Sequence, residues 1–418
     1  MHSADHTDTE GLARQAGQFR ERFRIPEASA GQDSIYLCSN SLGLQSKDAV
    51  EAVMAELERW GQMGVSGHFD GPMPWVPYHQ HTIDGLAMLT GAQAHEVVAM
   101  NSLTVNLHLM LTSFFQPHSS KCKIVVESGA FPTDRHAVDS QLASRGLDPQ
   151  RNVIELKART DRLHHEEDLE QLLEQHGDDI ALVLWPGVQY STGQAFDIAR
   201  IARACQRADV VLGLDLAHAI GNIELNLHKD GPDFAVWCSY KYLCSGPGAV
   251  AGCFVHDRHK DFDGPRLTGW WGHEESTRFL MAPEHGATRG VQGWQLSGQP
   301  ILSTAPLLAS LRLYAEAGWP ALHQQTLALT NQLASGIQQR LAEHIEIITP
   351  LEPHRHGAQL SLRAINGRAA GRQWFERLQA HGVIGDWREP DIIRVAPSPL
   401  YNNLADVEAF LDLAERLA

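Results

Sequence analysis

Val210-Val211-Leu212-Gly213-Leu214-Asp215-Leu216-Ala217-His218 decides how this chain is read. The run is apolar and ends in a carboxylate, as a buried strand does when its last residue meets a ligand. Downstream, Trp237-Cys238-Ser239-Tyr240-Lys241-Tyr242-Leu243 sets a lysine among aromatic and apolar neighbours, ahead of Cys244-Ser245-Gly246-Pro247-Gly248-Ala249. Desolvation disfavours an ammonium in such a setting. A neutral lysine amine is the nucleophile that forms Schiff bases with aldehydes. Alone, Asp215 also reads as a helix N-cap, and Lys241 as a side chain that snorkels out of its strand. Together and in this order they match what pyridoxal phosphate requires. A carboxylate keeps the pyridine nitrogen protonated, and a lysine carries the aldehyde carbon.

Working outward, segments 123–127, 152–156, 180–185, 210–215, 234–238 and 249–255 read as strands. Helices are expected at 103–115, 133–144, 166–175 and 196–207. Continuous apolar runs separated by helices imply α/β architecture with a mostly parallel sheet covered on both faces. Such sheets bind ligands at the carboxyl ends of their strands. Ser102 is the expected N-cap of the first of these helices. Before them, 18–23 reads as a short charged helix stopped by Ile25-Pro26, and 48–60 as an amphipathic helix. Its stripe is Val50, Val53, Met54, Leu57 and Trp60. After residue 300, helices at 301–317, 322–342, 372–381 and 404–417 alternate with strands at 345–348, 359–362 and 392–395. The expected division is an arm and helix packing on the pocket (1–60), a large cofactor-binding domain (61–300) and a small C-terminal α/β domain (301–418).

Bulk composition narrows the function classes. The chain has 418 residues, 43% apolar and 20% charged, long enough for two sizeable cores. Its net charge of −16, from 34 basic and 50 acidic side chains, argues against nucleic acid and anionic membrane surfaces as partners. The polar start Met1-His2-Ser3-Ala4-Asp5-His6 lacks a signal-peptide pattern, and no apolar run has membrane-spanning length. The six cysteines are scattered without a close CxxC pair, which suits reduced thiols in a cytoplasmic protein. Histidine pairs at His79 with His81, His164-His165, and His354 with His356 lack zinc-protease spacing, so solvated loops are expected there and no metal site.

Seven stretches in order resemble the fold-type-I pyridoxal-phosphate enzymes, and among them the kynureninase family. They are Tyr36-Leu37-Cys38-Ser39-Asn40-Ser41-Leu42-Gly43-Leu44, Asn101-Ser102-Leu103-Thr104-Val105-Asn106-Leu107-His108, Phe131-Pro132-Thr133-Asp134, Asp215-Leu216-Ala217-His218-Ala219, Ser239-Tyr240-Lys241-Tyr242-Leu243, Gly269-Trp270-Trp271-Gly272-His273, and Arg394-Val395-Ala396-Pro397 with Pro399-Leu400-Tyr401-Asn402. The resemblance implies a seven-stranded large-domain sheet and a homodimer with shared active sites.

It also implies roles. Lys241 resembles the Schiff-base lysine and Asp215 the partner of the pyridine nitrogen. Phe131 is similar to the aromatic that stacks on the ring, with Pro132, Thr133 and Asp134 in the same cofactor-binding segment. His218 resembles a residue beside the cofactor. Leu103 and Thr104 open a helix whose free N–H groups suit a phosphate. Tyr240 resembles a phosphate-contacting tyrosine with acid–base duties, and Trp270 one that reaches the phosphate from the neighbouring subunit. Arg394 resembles the clamp on the substrate α-carboxylate. His68 matches a histidine near the substrate ring, and Asn40 and Ser41 lie in a motif folded over the pocket. Two positions depart from the pattern. Gly298 stands where family members often carry Asn, so only its backbone could serve the cofactor, and Pro186 stands where a hydroxyl residue is usual.

The implied reaction is hydrolysis of the Cβ–Cγ bond of L-kynurenine or its 3-hydroxy form, a small amino-acid substrate. The products are L-alanine and anthranilate or 3-hydroxyanthranilate, in tryptophan catabolism or NAD biosynthesis. Rival readings are a class V aminotransferase, a cysteine desulfurase, or a non-catalytic ligand-binding relative. A desulfurase needs a mobile cysteine well after the lysine, and the last one here is Cys253.

Overall fold

The computed structural model describes residues 9–418 apart from 30, 119, 282 and 353. The polar start at residues 1–6 therefore lies outside the described residues. Helix α1 (Lys47–Met63) begins where the Ser46 hydroxyl accepts from the Ala49 N–H at 3.0 Å, and it ends at Gly64, whose φ is 54°. Helix α2 (Gln80–Thr90) follows. Strands and helices then alternate: β1 (Val97–Ala99), α3 (Leu103–Phe114), β2 (Lys123–Glu127), α4 (Pro132–Ser144), β3 (Val153–Leu156), α5 (Glu166–His176), β4 (Ile180–Pro186), α6 (Ile198–Arg207), β5 (Val211–Asp215), β6 (Phe234–Trp237) and β7 (Gly252–Val255).

These strands form one seven-stranded sheet in the order β1-β7-β6-β5-β4-β2-β3. Its pairings are parallel from β3 through β6, while β7 runs antiparallel to both neighbours. Every residue of β5 after Val211 is buried, which is why the segment reads as a continuous apolar run. Gly213 is needed there. A Cβ on it would lie 2.1 Å from the ring of Phe234, its partner in the register.

Beyond the sheet, α7 (Ile301–Ala317) packs its Leu307, Leu311 and Tyr314 into the large core. Helix α8 (Trp319–Arg340) passes from that core, at Trp319 and Leu322, to the smaller one, at Leu329, Leu333 and Ile337. The two hydrophobic clusters therefore part within α8, later than the expected division at residue 301. The small unit carries β8 (Ile345–Ile347), β9 (Leu360–Ala364), α9 (Arg368–Ala380), β10 (Asp386–Arg388), β11 (Ile392–Val395) and α10 (Leu404–Leu417), with an antiparallel sheet in the order β8-β9-β11-β10. The N-terminal arm joins it: Ile35–Tyr36 pairs in parallel with Val383–Ile384.

Several expectations need correction. The arm over residues 1–34 reads as partly helical, but its helix covers Thr9–Gln15, and the segment 18–23 forms only a 3-10 turn at Arg20–Arg22. Helix α2 and strands β1 and β10 were not anticipated. The α1 stripe does not enter the core: Met54 is 58% and Trp60 62% exposed, whereas Glu56 on the opposite side is buried. His79, His164 and His356 are buried rather than solvated. His164 Nε2 lies 3.2 Å from the Ser128 carbonyl, and His356 Nδ1 lies 2.9 Å from that of Gly357.

Gly213→Val should overpack the β5–β6 contact and cost about 1–3 kcal/mol. Thermal denaturation checks this, and an unchanged melting temperature would contradict the close packing described.

Candidate active site

Helices α3 and α4 both start at the carboxyl edge of the large sheet. The first N–H groups of each helix lack intrahelical partners, one fewer at α4 because Pro132 has none to offer. Ser102 occupies the N-cap of α3 in extended conformation, but its side chain makes no capping bond, contrary to expectation. Phe131 caps α4, also without a side-chain bond, and Pro132 sits in its first turn. The helix ends thus keep free donors and positive partial charge toward the sheet edge.

A cleft opens there. Leu103, Thr104, Phe131, Thr133, Asp134, Asp215, His218, Tyr240 and Lys241 line it, each expected from sequence. Pro132 is exposed beside it. Glu127, Tyr190 and Cys238 line it too, and sequence reading had not singled them out. Glu127 carried a legible signal, since it ends the apolar β2 as Asp215 ends β5. Pro186 ends β4 opposite Asp215 and offers the cleft no N–H.

The electrostatics centre on three buried carboxyls. Asp215 Oδ1 accepts the Ala217 N–H at 2.7 Å, so one oxygen serves its own turn. Burial raises the pKa of Asp215. Asp134 is held further above its usual range, by burial and then by the Asp215 and Glu127 charges, and it keeps its proton toward Asp215. Glu127 is pushed up to about 8, first by burial. Three such acids at one floor call for a cation. Lys241 Nζ stands 5.9 Å from the centroid of the Phe131 ring, the face on which a flat ligand would lie. His218 is held neutral by burial and the nearby Lys241 and Arg394 charges. The Tyr240 phenol is held protonated by burial and by Cys238. A protonated pyridine ring meets this chemistry: cationic nitrogen to the carboxyl floor, aldehyde to Lys241, phosphate to the α3 terminus. We therefore find that the residues present fit pyridoxal phosphate.

Arg394, 1% exposed, donates from Nη1 to the Tyr190 carbonyl at 2.8 Å and from Nη2 to Asp386 Oδ2 at 2.7 Å. The Tyr190 ring meets Phe131 edge-on at 5.1 Å, which sets the arginine beside the cleft. Asn40 is fully buried near it, and the Ser41 N–H donates to the Cys38 carbonyl at 3.0 Å. The remaining candidates are not brought to the cleft within one chain. His68 is exposed and packs against Trp75 at 5.4 Å. Trp270 is 47% exposed, its indole N–H donating to the Arg278 carbonyl at 3.1 Å. Gly298 lies against Trp271.

A separate trio, Glu96, His228 and His256, places three possible metal-ligand atoms within 4.8 Å of one another. Their lone pairs are engaged. Glu96 accepts the Asp257 and Gln93 N–H groups at 2.7 Å each, and His256 Nδ1 accepts that of Arg258 at 3.1 Å. The trio binds turns together.

The kynureninase of Xanthomonas oryzae pv. oryzae (strain PXO99A) is 51% identical over 417 residues, covering 100% of this chain and 98% of that protein. The chain belongs to the kynureninase family. The kynureninase of Xanthomonas euvesicatoria pv. vesicatoria (strain 85-10) is 52% identical over 402 residues, 96% of this chain and 94% of that protein. A family model for the kynureninase C-terminal domain matches residues 322–413, beginning early in α8, where the helix still packs on the large core. Among solved structures, the Escherichia coli cysteine desulfurase CsdA shares 15% identity with a TM-score of 0.75, covering 96% of this chain and 97% of that one. C-DES with glycine covalently linked to its PLP cofactor shares 17% identity with a TM-score of 0.74, covering 91% and 96%. At such identities these two show the fold alone, that of the fold-type-I pyridoxal-phosphate enzymes.

An acid raised on folding favours the folded state fully below its unfolded pKa, and loses that advantage as pH rises through its folded one. For Glu127 the window runs from 4.5 to about 8. Cofactor-free protein should therefore lose melting temperature across that window, and Glu127→Gln should flatten the fall. Equal slopes in both proteins would show that Glu127 is not held neutral.

Proposed function

We propose that this chain is a pyridoxal-phosphate-dependent hydrolase that cleaves the Cβ–Cγ bond of L-kynurenine or 3-hydroxy-L-kynurenine, giving L-alanine and anthranilate or its 3-hydroxy form. The observation that carries the reading is the meeting of Lys241 and Asp215 at one cleft, with Arg394 bonded to the carbonyl of the cleft residue Tyr190, in a chain with 51% identity to a kynureninase over its whole length. When bound, pyridoxal phosphate supplies an aldehyde for the amines and a ring that withdraws electrons from the substrate Cα.

The chain's own residues do the rest. Asp215 would hold the ring nitrogen through its carboxylate, while Asp134 keeps a proton toward Asp215 and leaves the floor less negative. Leu103 and Thr104 present N–H groups to the phosphate. Arg394 takes the α-carboxylate by charge-assisted hydrogen bonds, fixing the direction of the Cα–H bond. Lys241 takes the Cα proton as general base. Water adds to the γ-carbonyl carbon, the Cβ–Cγ bond breaks, and Cβ gains a proton. Tyr240 remains a phenol over the physiological range, so it acts as a proton donor in these steps. A desulfurase reading fails on position, since Cys253 is fully buried in β7 and Cys244 is buried as well.

Two further points belong to this proposal. The active unit is a homodimer with shared sites. Met54, Leu57 and Trp60 on α1, with Phe69, Trp270 and Phe279, form exposed apolar surface of the kind a partner covers. In such a dimer Trp270, His68 and Gly298 complete the partner's cleft. The setting is cytoplasmic tryptophan breakdown, with supply of NAD precursors as its biosynthetic counterpart. Six free cysteines agree with a reducing compartment, and no described helix is long and apolar enough to cross a membrane.

Lys241→Ala should lose the visible cofactor absorbance and lower turnover by several orders of magnitude, read as anthranilate fluorescence. Retained catalysis would refute the assignment. Trp60→Glu should shift the protein toward monomer in sedimentation and depress activity with it; an unchanged dimer would place the interface elsewhere.

A further inference from the structure

Three residues expected at the site come from distant parts of the chain: Asn40 from the N-terminal arm, His218 from the large unit and Arg394 from β11. All three converge on Gln359, which sits immediately before β9 and is fully buried. Its Oε1 accepts from Asn40 Nδ2 at 3.3 Å. Its Nε2 donates to the Tyr190 carbonyl at 2.9 Å and to Ser361 Oγ at 3.0 Å. The same carbonyl accepts from Arg394 Nη1 at 2.8 Å. The His218 imidazole lies against the Gln359 carboxamide, with its Nδ1 left unpaired.

Buried amides rarely spend both ends on groups from three segments without consequence. An unmade bond at any of them leaves a buried polar atom unsatisfied. Besides His218 Nδ1, this network leaves Arg394 Nε and Asn40 Oδ1 unpaired. Arg394 Nε is a buried donor without a partner, as in an arginine whose set a planar carboxylate completes. What fixes the direction of that donor is the Tyr190 carbonyl, and Gln359 fixes the carbonyl. Asp386 holds the other side of the guanidinium and is itself shared with Arg388 Nη2 at 2.9 Å, so the arginine is not neutralised by a private partner.

We propose that Gln359 is a positioning residue for substrate binding, a cross-domain latch that aims Arg394 at the α-carboxylate by gripping the Tyr190 carbonyl and Asn40 together. The inference rests on the reading of Arg394 as the carboxylate clamp. Gln359 touches no reacting atom. Its effect therefore falls on amino-acid binding rather than on the chemical step.

The test uses holoenzyme saturated with pyridoxal phosphate. Gln359→Met keeps the volume and removes the hydrogen bonds; Gln359→Glu keeps the acceptor for Asn40 but turns an oxygen toward the Tyr190 carbonyl. Both should raise KM for kynurenine roughly tenfold or more, with kcat within about threefold of the parent, the split expected when ground-state and transition-state binding fall together. Visible cofactor absorbance should stay unchanged, and so should the affinity for a kynurenine analogue lacking the α-carboxylate. Unchanged KM in either variant overturns the proposal. So does equal weakening of the analogue, or loss of cofactor absorbance, since the carboxamide would then serve the fold in general. Arg394→Met is measured alongside, and an unchanged KM there would sink the clamp reading itself.

Discussion

Everything at this site depends on carboxyl groups taken out of water at the ends of β2 and β5 and at the start of α4. A lone buried carboxylate is costly, and a cluster is worse, because the Asp215 charge raises the proton affinity of both Asp134 and Glu127. The fold tolerates them because Asp134 carries a proton toward Asp215 and because Lys241 stands across the cleft. The arrangement is incomplete as a set of charges. A flat cation with an electrophilic carbon at one edge and an anionic group at another relieves it at three points, and the free helix starts are placed for the anion. Stability and catalysis are thus linked, since the same protonated ring offsets buried charge and draws electrons from substrate.

The small unit contributes differently. Arg394 comes from an antiparallel sheet and is tied to the cleft through the backbone carbonyl of Tyr190, a residue of the large unit. On the proposed clamp role of Arg394, recognition of the α-carboxylate depends on how the two units sit against each other. The N-terminal arm pairs with Val383–Ile384 and carries Asn40 into the same network. One physical requirement, that buried donors and acceptors be paired, binds arm, large unit and small unit around the substrate position.

Asp215 and Lys241 were legible because parallel strands are buried on both faces, so a charge at the end of an apolar run stands out. The helix boundaries at 301–317 and 404–417 were legible because both segments are long, the first apolar nearly all round and the second striped. Strand β1 was not, since three residues give no pattern, and β10 alternates charges at a sheet edge. The α1 stripe was visible, but its destination was not. Apolar periodicity records that a face is covered, not whether the cover comes from the same chain. For the same reason, sequence placed His68, Trp270 and Gly298 in the site while one chain leaves them outside its cleft. Gln359 carried no local signal at all; its importance comes from contacts spanning most of the chain.

The most direct test of the buried acid–amine pair is chemical. Purified protein is incubated with pyridoxal phosphate, reduced with borohydride, digested and mapped. The account predicts one pyridoxyl adduct, on the peptide carrying Lys241. A stable adduct on another lysine, or none at all in folded protein, would contradict it.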